Sequence, residues 1–260
     1  MMDFGIKGQV AVVTGGSRGI GKAIVQSFLE EGVTVVIGSR TQEQIDETVK
    51  EFSEIGSIHG FVLDVGSRQS VQEFVEKTIN QCDKIDTLVN CAGINLRLPA
   101  DNYPEEDWER IININLNGAY RMSQEVGKKM IERQSGNIIN ITSLMSHTVT
   151  SNQGPYAASK AGLAQYTRLL AVEWAKHNIR VNAVSPGYIE TDLTKGAFAV
   201  PEYRDKLLSK TPQQRFGKPE DIADSVVFLA SKRAAFINGH ILAVDGGFLA
   251  GHPDVLAPNA

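Results

Sequence analysis

The chain has 260 residues, is 42% hydrophobic and carries a formal net charge of −4, with a pI of about 5.8. This length suits one α/β domain with a sizeable core, and the acidic balance, without a long basic run, excludes nucleic acid as a partner. No stretch approaches the roughly eighteen apolar residues of a membrane span, the first residues lack an apolar signal core, and Cys82 and Cys91 have no metal-ligand spacing. The expectation is a soluble, cytoplasmic protein that holds no metal.

Short β-branched runs alternate with longer helical patterns along the chain. Strands are predicted at 10–13, 33–38, 58–63, 85–89, 137–142, 180–185 and 240–244. Helices are predicted near 19–31, 42–54, 67–81, 105–132, 154–177 and 219–231. The strands are almost continuously apolar, as strands covered on both faces are. Each helix is long enough for a right-handed crossover between parallel strands. The pattern predicts one doubly wound α/β domain of Rossmann type, with a seven-stranded parallel sheet. One connection, 188–216, breaks the rhythm and is expected to lie over the ligand crevice as a substrate loop. The tail 252–260 has two prolines and no periodicity, and is expected to fray or to pack on a partner subunit.

Glycines follow the first strand in Thr14-Gly15-Gly16-Ser17-Arg18-Gly19-Ile20-Gly21. Gly15, Gly19 and Gly21 allow a tight turn and close backbone approach to a pyrophosphate. The helix opening there offers free N–H groups to phosphate. Ser17 and Ile20 belong to the same loop. The second strand ends Gly38-Ser39-Arg40, with no carboxylate to take a ribose 2′-hydroxyl. Arg40 and Arg18 suit a 2′-phosphate instead, so the predicted cofactor is NADP(H). Asp64-Val65 follows the third strand, where a carboxylate can accept from an adenine amino group. Asn90, Ala92 and Gly93 at the fourth strand's end let backbone pass close to the cofactor. Pro186, Gly187, Ile189 and Thr191 leave the sixth strand and are expected near the nicotinamide.

A proton relay is spelled out between residues 143 and 160. Tyr156 and Lys160 are four apart, so on a helix they share a face. Ser143 stands thirteen residues before the tyrosine, at the end of an apolar run. A phenol has a pKa near 10, and a neighbouring ammonium is expected to lower it. With a serine hydroxyl to hold a carbonyl oxygen, this set suits moving a proton to or from an alcohol.

Together the glycine loop, Asp64-Val65, Asn90-Cys91-Ala92-Gly93, Asn115-Leu116-Asn117-Gly118, Ser143, Tyr156-Ala157-Ala158-Ser159-Lys160, Pro186 to Thr191 and Val244-Asp245-Gly246-Gly247 resemble the short-chain dehydrogenase/reductase family. The resemblance implies Ser143, Tyr156 and Lys160 as catalytic residues. It adds Asn115 as a fourth, holding a water that links the lysine to solvent, with Asn113 and Asn117 as nearby competitors. It implies Lys160 on the ribose hydroxyls, and a homotetramer built through the long helices and the last strand.

Within the family, the segments 92–99, 171–175, 186–189 and 211–217 most resemble gluconate 5-dehydrogenases, which implies a sugar-acid alcohol or ketone as substrate. Arg97 then becomes a candidate for the carboxylate, the other reading being a surface or interface salt bridge. His147 is a candidate donor to a hydroxyl, the other reading being a partly buried, satisfied histidine. Met145 and Tyr188 are candidates for the pocket lining. Two further readings fit the residues: a carbonyl reductase for small neutral ketones or β-keto esters, lined by Leu96, Met145, Phe198 and Val200, and a catalytically silent dinucleotide-binding sensor or scaffold.

Overall fold

In the computed structural model, which describes residues 3–251, the strands are β1 (Val10–Thr14), β2 (Thr34–Ser39), β3 (Ile58–Val62), β4 (Thr87–Asn90), β5 (Gly136–Ile141), β6 (Ile179–Pro186) and β7 (Ile241–Val244). They form one seven-stranded sheet in the order 3-2-1-4-5-6-7, parallel throughout. The helices are α1 (Gly19–Glu30), α2 (Gln42–Phe52), α3 (Arg68–Cys82), α4 (Glu105–Ile112), α5 (Gly118–Arg133), α6 (Gly154–Trp174), α7 (Asp192–Phe198), α8 (Pro201–Ser209) and α9 (Pro219–Ala230).

Alternate strand residues feed two separate cores, because successive side chains point to opposite faces. Ala11, Val13, Val35 and Ile37 pack with Phe28 of α1, Ile45 of α2 and Val226 of α9. Val10, Val12 and Val36 pack with Phe74 of α3, Met122 of α5 and Leu170 of α6. Each large side chain buried this way contributes about 1.5–3 kcal/mol. That double burial is why the strands read as continuous apolar runs rather than alternating ones.

β1 is flanked by β2 on one side and β4 on the other. Chain order therefore reverses between β1 and β4, and a ligand crevice is expected outside the carboxyl ends there.

Two predicted elements come out differently. The long helix predicted for 105–132 is interrupted by a π turn at Asn113–Asn117, between α4 and α5. Three asparagines in five residues are poor helix formers, and π turns often mark functional sites. The connection 188–216 is not a bare loop but carries α7 and α8, tied to the body by a bridge between Ile189 and Gly217. Residues 252–260 lie outside the described residues, and the expectation for the tail with them.

Candidate active site

A cleft of about 630 Å³ runs across the carboxyl ends of the strands. Gly15, Ser17, Arg18, Gly19, Ile20 and Gly21 form its floor after β1, and Ser39 and Arg40 close one end after β2. Asp64, Val65, Ala92 and Gly93 line it from the next strand ends, and Pro186, Gly187, Ile189 and Thr191 from beyond β6. Ser143, Tyr156 and Lys160 stand on its far wall. The fold thus gathers nearly every predicted cofactor residue, together with Ser143, Tyr156 and Lys160, into one space.

Of the predicted cofactor residues Asn90 is outside this lining, as are Asn115 and the substrate candidates Arg97, Met145, His147 and Tyr188. The Asn90 side chain is buried and donates to Ser123 Oγ at 3.1 Å and Asn140 Oδ1 at 2.8 Å. It ties β4 to β5 and α5 rather than lining the cleft, because it is the last residue of a strand with both faces covered. Residues that the sequence did not single out also line the cleft, among them Thr41, Gln44, Thr142, Asp192 and Thr194. Thr41 and Gln44 follow Arg40 at the start of α2, a position that could have suggested them.

The residues present fit a phosphorylated dinucleotide. The first turn of α1 has no side-chain cap and no acidic residue, so its N–H groups are open to an anion. A Cβ on Gly21 would fall 2.2 Å from the Gly15 carbonyl oxygen, so only glycine lets α1 start this close to the turn. Ser17 Oγ donates to Ser39 Oγ at 3.0 Å, bringing the ends of the β1 and β2 loops together. Arg18 and Arg40 are both exposed, and among the described residues neither side chain makes a hydrogen bond or ion pair. Two guanidiniums without an ion-pair partner among the described residues suit a 2′-phosphate dianion.

At the other end, α6 places Tyr156 and Lys160 on one face, starting at Gly154 with Pro155 in its first turn. Pro155 fits there because its missing N–H would be unpaired anyway. Lys160 is buried and donates from Nζ to the Ile141 carbonyl at 2.8 Å, with Nζ 5.8 Å from the Tyr156 ring centre. Ser143 lies close enough to the Tyr156 phenol to favour its ionised form, and Ser143 Oγ accepts from the Met145 N–H at 3.2 Å.

The expected lowering of the Tyr156 pKa by lysine is not found in the chain alone. Burial pushes the phenol up, opposed by the Ser143 hydrogen bond and by the charge of Arg97. The same burial pushes the Lys160 ammonium down to about 8. A cation that is itself desolvated, and that donates to a carbonyl rather than to the phenol, offsets little of the tyrosine's burial.

Asn115 is buried in the π turn, and both ends of its amide are committed. Oδ1 accepts from the Ile94 N–H at 2.8 Å, and Nδ2 donates to the Ile94 carbonyl at 2.9 Å and to Ser159 Oγ at 3.2 Å. The side chain therefore pins the loop after β4 to the helix that carries the tyrosine.

That loop is fixed again further on. Asn95 Nδ2 donates to Gln153 Oε1 at 3.0 Å, Leu98 bridges to Gln153, and the Tyr103 hydroxyl donates to the Leu96 carbonyl. Arg97 stands out from it, exposed, without a hydrogen bond or ion pair among the described residues. Its charge acts on the phenols of both Tyr156 and Tyr188. Met145 is buried in a cluster with Leu144 and Phe248, against Tyr156 and Tyr188. Tyr188 meets Phe248 edge to face at 5.5 Å and Phe198 of α7 at 6.5 Å. Burial pushes its phenol up to about 12, and among the described residues the hydroxyl has no hydrogen-bond partner. His147 is exposed rather than part of a buried network. Phe198 stacks on Phe216 at 4.0 Å, and Val200 is exposed. Among the described residues, no cluster of three or more His, Cys, Asp or Glu side chains could hold a metal, and no helix is long and apolar enough to cross a membrane.

A doubly wound sheet with a glycine-floored cleft, and a tyrosine–lysine–serine set at its far end, defines a dinucleotide-dependent oxidoreductase. A family model described as enoyl-(acyl carrier protein) reductase matches residues 15–249, and the chain belongs to the short-chain dehydrogenase/reductase family, acting on CH–OH groups. It is 41% identical to a 3-oxoacyl-(acyl-carrier-protein) reductase FabG of Thermotoga maritima, over 94% of this chain and 99% of that protein. It is 37% identical to a 2-dehydro-3-deoxy-D-gluconate 5-dehydrogenase of Formosa agariphila, over 95% of each. The structure of a gluconate 5-dehydrogenase from Burkholderia cenocepacia in complex with NADP and tartrate superposes with a TM-score of 0.93, at 33% identity, covering 96% of this chain and 98% of that one.

Proposed function

We propose that the protein interconverts the secondary alcohol and ketone of a sugar acid, of the gluconate and 5-ketogluconate type, with NADP(H). The observation that carries the substrate class is Arg97, an unpaired guanidinium on a fixed loop whose charge reaches the Tyr156 phenol. A carboxylate a few carbons from the reacting carbonyl would find a bidentate partner there. The sugar-acid names of relatives and the NADP-bound neighbour support the same choice.

When bound, the dinucleotide supplies or removes the hydride. In reduction, Tyr156 donates its proton to the carbonyl oxygen, and Ser143 donates a hydrogen bond to that same oxygen as negative charge develops. In oxidation, the phenolate of Tyr156 takes the alcohol proton. Lys160 would hold positive charge beneath the site and meet ribose hydroxyls, and Asn115 keeps the loop bearing Arg97 in register with α6.

The sign of the pH dependence follows. Reduction needs the protonated phenol, so its kcat/KM should fall as pH rises through the phenol pKa. Oxidation needs the phenolate and should rise over the same window. Because burial pushes Tyr156 up, the crossover should lie on the alkaline side. Measured profiles in the two directions that ran parallel would rule out Tyr156 as the shared proton carrier.

A second reading is favoured by the apolar cluster of Leu144, Met145 and Phe248 against Tyr156 and by the 41% identity to the FabG protein: a reductase of β-ketoacyl compounds. Initial rates of NADPH consumption with 5-ketogluconate, a neutral β-keto ester and a β-ketoacyl thioester separate the two. Arg97→Ala should raise KM for 5-ketogluconate about tenfold or more, the scale of losing a charge-assisted hydrogen bond, and leave the neutral ester almost unchanged. Equal effects on both would take Arg97 out of the site and promote the second reading.

We also propose a homotetramer in the cytoplasm. Leu169 and Val172 of α6 and Phe236 leave large apolar surface facing solvent, which suits burial between subunits. Both cysteines are free thiols, as in a reducing compartment.

A further inference from the structure

We propose that Arg121, acting with Asn113, is a positioning residue that sets the affinity for the adenosine half of the dinucleotide. The inference rests on the NADP(H) reading of the cleft.

Asp64 and Val65 form one wall of the cleft, opposite the relay. They leave β3, which lies at the edge of the sheet and pairs only with β2. No further strand supports the segment from outside. Its local bonds are few: Gly66 N–H to Asp64 Oδ1 at 2.9 Å, Asp64 N–H to Ser70 Oγ at 3.0 Å and Ser67 N–H to the Asp64 carbonyl at 3.0 Å.

The remaining support comes from the π turn and α5. Arg121 Nη1 donates to the Val65 carbonyl at 3.2 Å, and Nη2 donates to Asn113 Oδ1 at 2.8 Å. Nη1 also reaches the Asn113 carbonyl at 3.4 Å. Asn113 Nδ2 in turn donates to the Gly66 carbonyl at 3.3 Å. One guanidinium thus reads two consecutive peptide units of the wall, directly at Val65 and through Asn113 at Gly66. Val65 itself lies against the start of α5, where a Cβ on Gly118 would come within 2.8 Å of its Cγ2.

Among the described residues the charge on Arg121 is not used in an ion pair, and each of its hydrogen-bond acceptors is neutral. Burial and the charge of Arg68 work against its protonated form, offset in part by the charge of Asp64. A fork of fixed donors explains its presence better than charge does, because the fork holds two backbone oxygens at a set spacing. The consequence is a preformed surface for an adenine ring, at an edge that would otherwise be ordered only on binding, which weakens affinity.

Titration calorimetry with 2′,5′-ADP, 5′-AMP and nicotinamide mononucleotide on the full chain tests this. Arg121→Met should weaken 2′,5′-ADP about tenfold, a change of about 1.4 kcal/mol, and Asn113→Ala should weaken it in the same direction. Nicotinamide mononucleotide binding should stay unchanged, and Arg121→Lys should recover part of the loss. A purely structural defect would instead lower affinity for both halves alike, which would overturn the proposal, as would unchanged 2′,5′-ADP affinity in a folded Arg121→Met protein. If that variant does not fold, Asn113→Ala carries the test by the same two criteria. Wild-type protein that bound 5′-AMP as tightly as 2′,5′-ADP would overturn the NADP preference alone, and the Arg121 comparison would then be decided on 5′-AMP. Wild-type protein that bound neither would remove the dinucleotide reading and this inference together.

Discussion

Tyr156→Phe is expected to lower kcat in both directions by roughly 10³-fold, within the 10²–10⁴ range typical of a positioned general acid–base group, while leaving NADPH affinity nearly unchanged. Ser143 acts directly on this phenol, and its ring packs beside Leu144, Met145 and Phe248. Phenylalanine keeps those contacts and removes only the hydroxyl that carries the proton. The measurement is a pair: steady-state rates with the keto-acid, and NADPH binding by fluorescence. Retention of a tenth or more of the activity would show that another group moves the proton. Loss of NADPH binding would mean that the substitution had disturbed the cleft, and the rates would say nothing of the relay. The same variant addresses the sensor reading, since a silent binding protein has no turnover to lose.

The second large effect is on the choice of dinucleotide. Ser39→Asp combined with Arg40→Leu should shift the ratio of kcat/KM for NADP to that for NAD by roughly 10²-fold or more toward NAD, because a charged hydrogen bond is worth about 1.5–3 kcal/mol and a carboxylate adds repulsion. Ser39 already touches Ser17 at 3.0 Å, so an acid there would meet the ribose from the side that now carries no negative charge. Arg18 remains in the double variant and limits the change, so its removal should extend the shift. The assay is kcat/KM for both dinucleotides at fixed substrate. A ratio that stayed within a factor of about two would show that Arg40 is only a solvated side chain at a strand end.

The sheet was legible because both its faces are dry. Runs such as Val10 to Val13 and Ile138 to Ile141 carry apolar residues on both faces, which leaves short, nearly continuous apolar runs that the sequence alone can show. The cofactor floor was legible because its requirement is local: Gly21 has no room for a side chain whatever the rest of the fold does. What escaped the sequence depends on distant partners. The sequence separates Asn115 from Asn113 and Asn117 only by its place at the head of Asn115-Leu116-Asn117-Gly118, and its bonds to Ile94 and Ser159 could not be foreseen from that. The π turn around it is a tertiary outcome, set where α4 and α5 meet the loops after β3 and β4. Asn90 reads as a cleft residue until Ser123 and Asn140 are seen to hold it. The direction of the tyrosine pKa was misjudged for a similar reason. Spacing shows that a lysine is near, but it does not show that the lysine is as starved of water as the phenol.

Lys160 links catalysis to durability. Its folded pKa lies near 8, against an ordinary value of 10.5, so below pH 8 the folded chain must keep a proton that burial disfavours. The penalty is fully present below the folded pKa and is relieved as pH rises from 8 toward 10.5, so this group makes the fold more stable in mild alkali than at neutrality. Taken at about 1.4 kcal/mol per pKa step, it is on the order of 3 kcal/mol, a sizeable share of the 5–15 kcal/mol by which domains usually stay folded. A ligand whose oxygens surround the ammonium would remove much of that strain. The unliganded enzyme should therefore be its own weakest form, and cellular dinucleotide supply would govern how long each molecule survives as well as how fast it works.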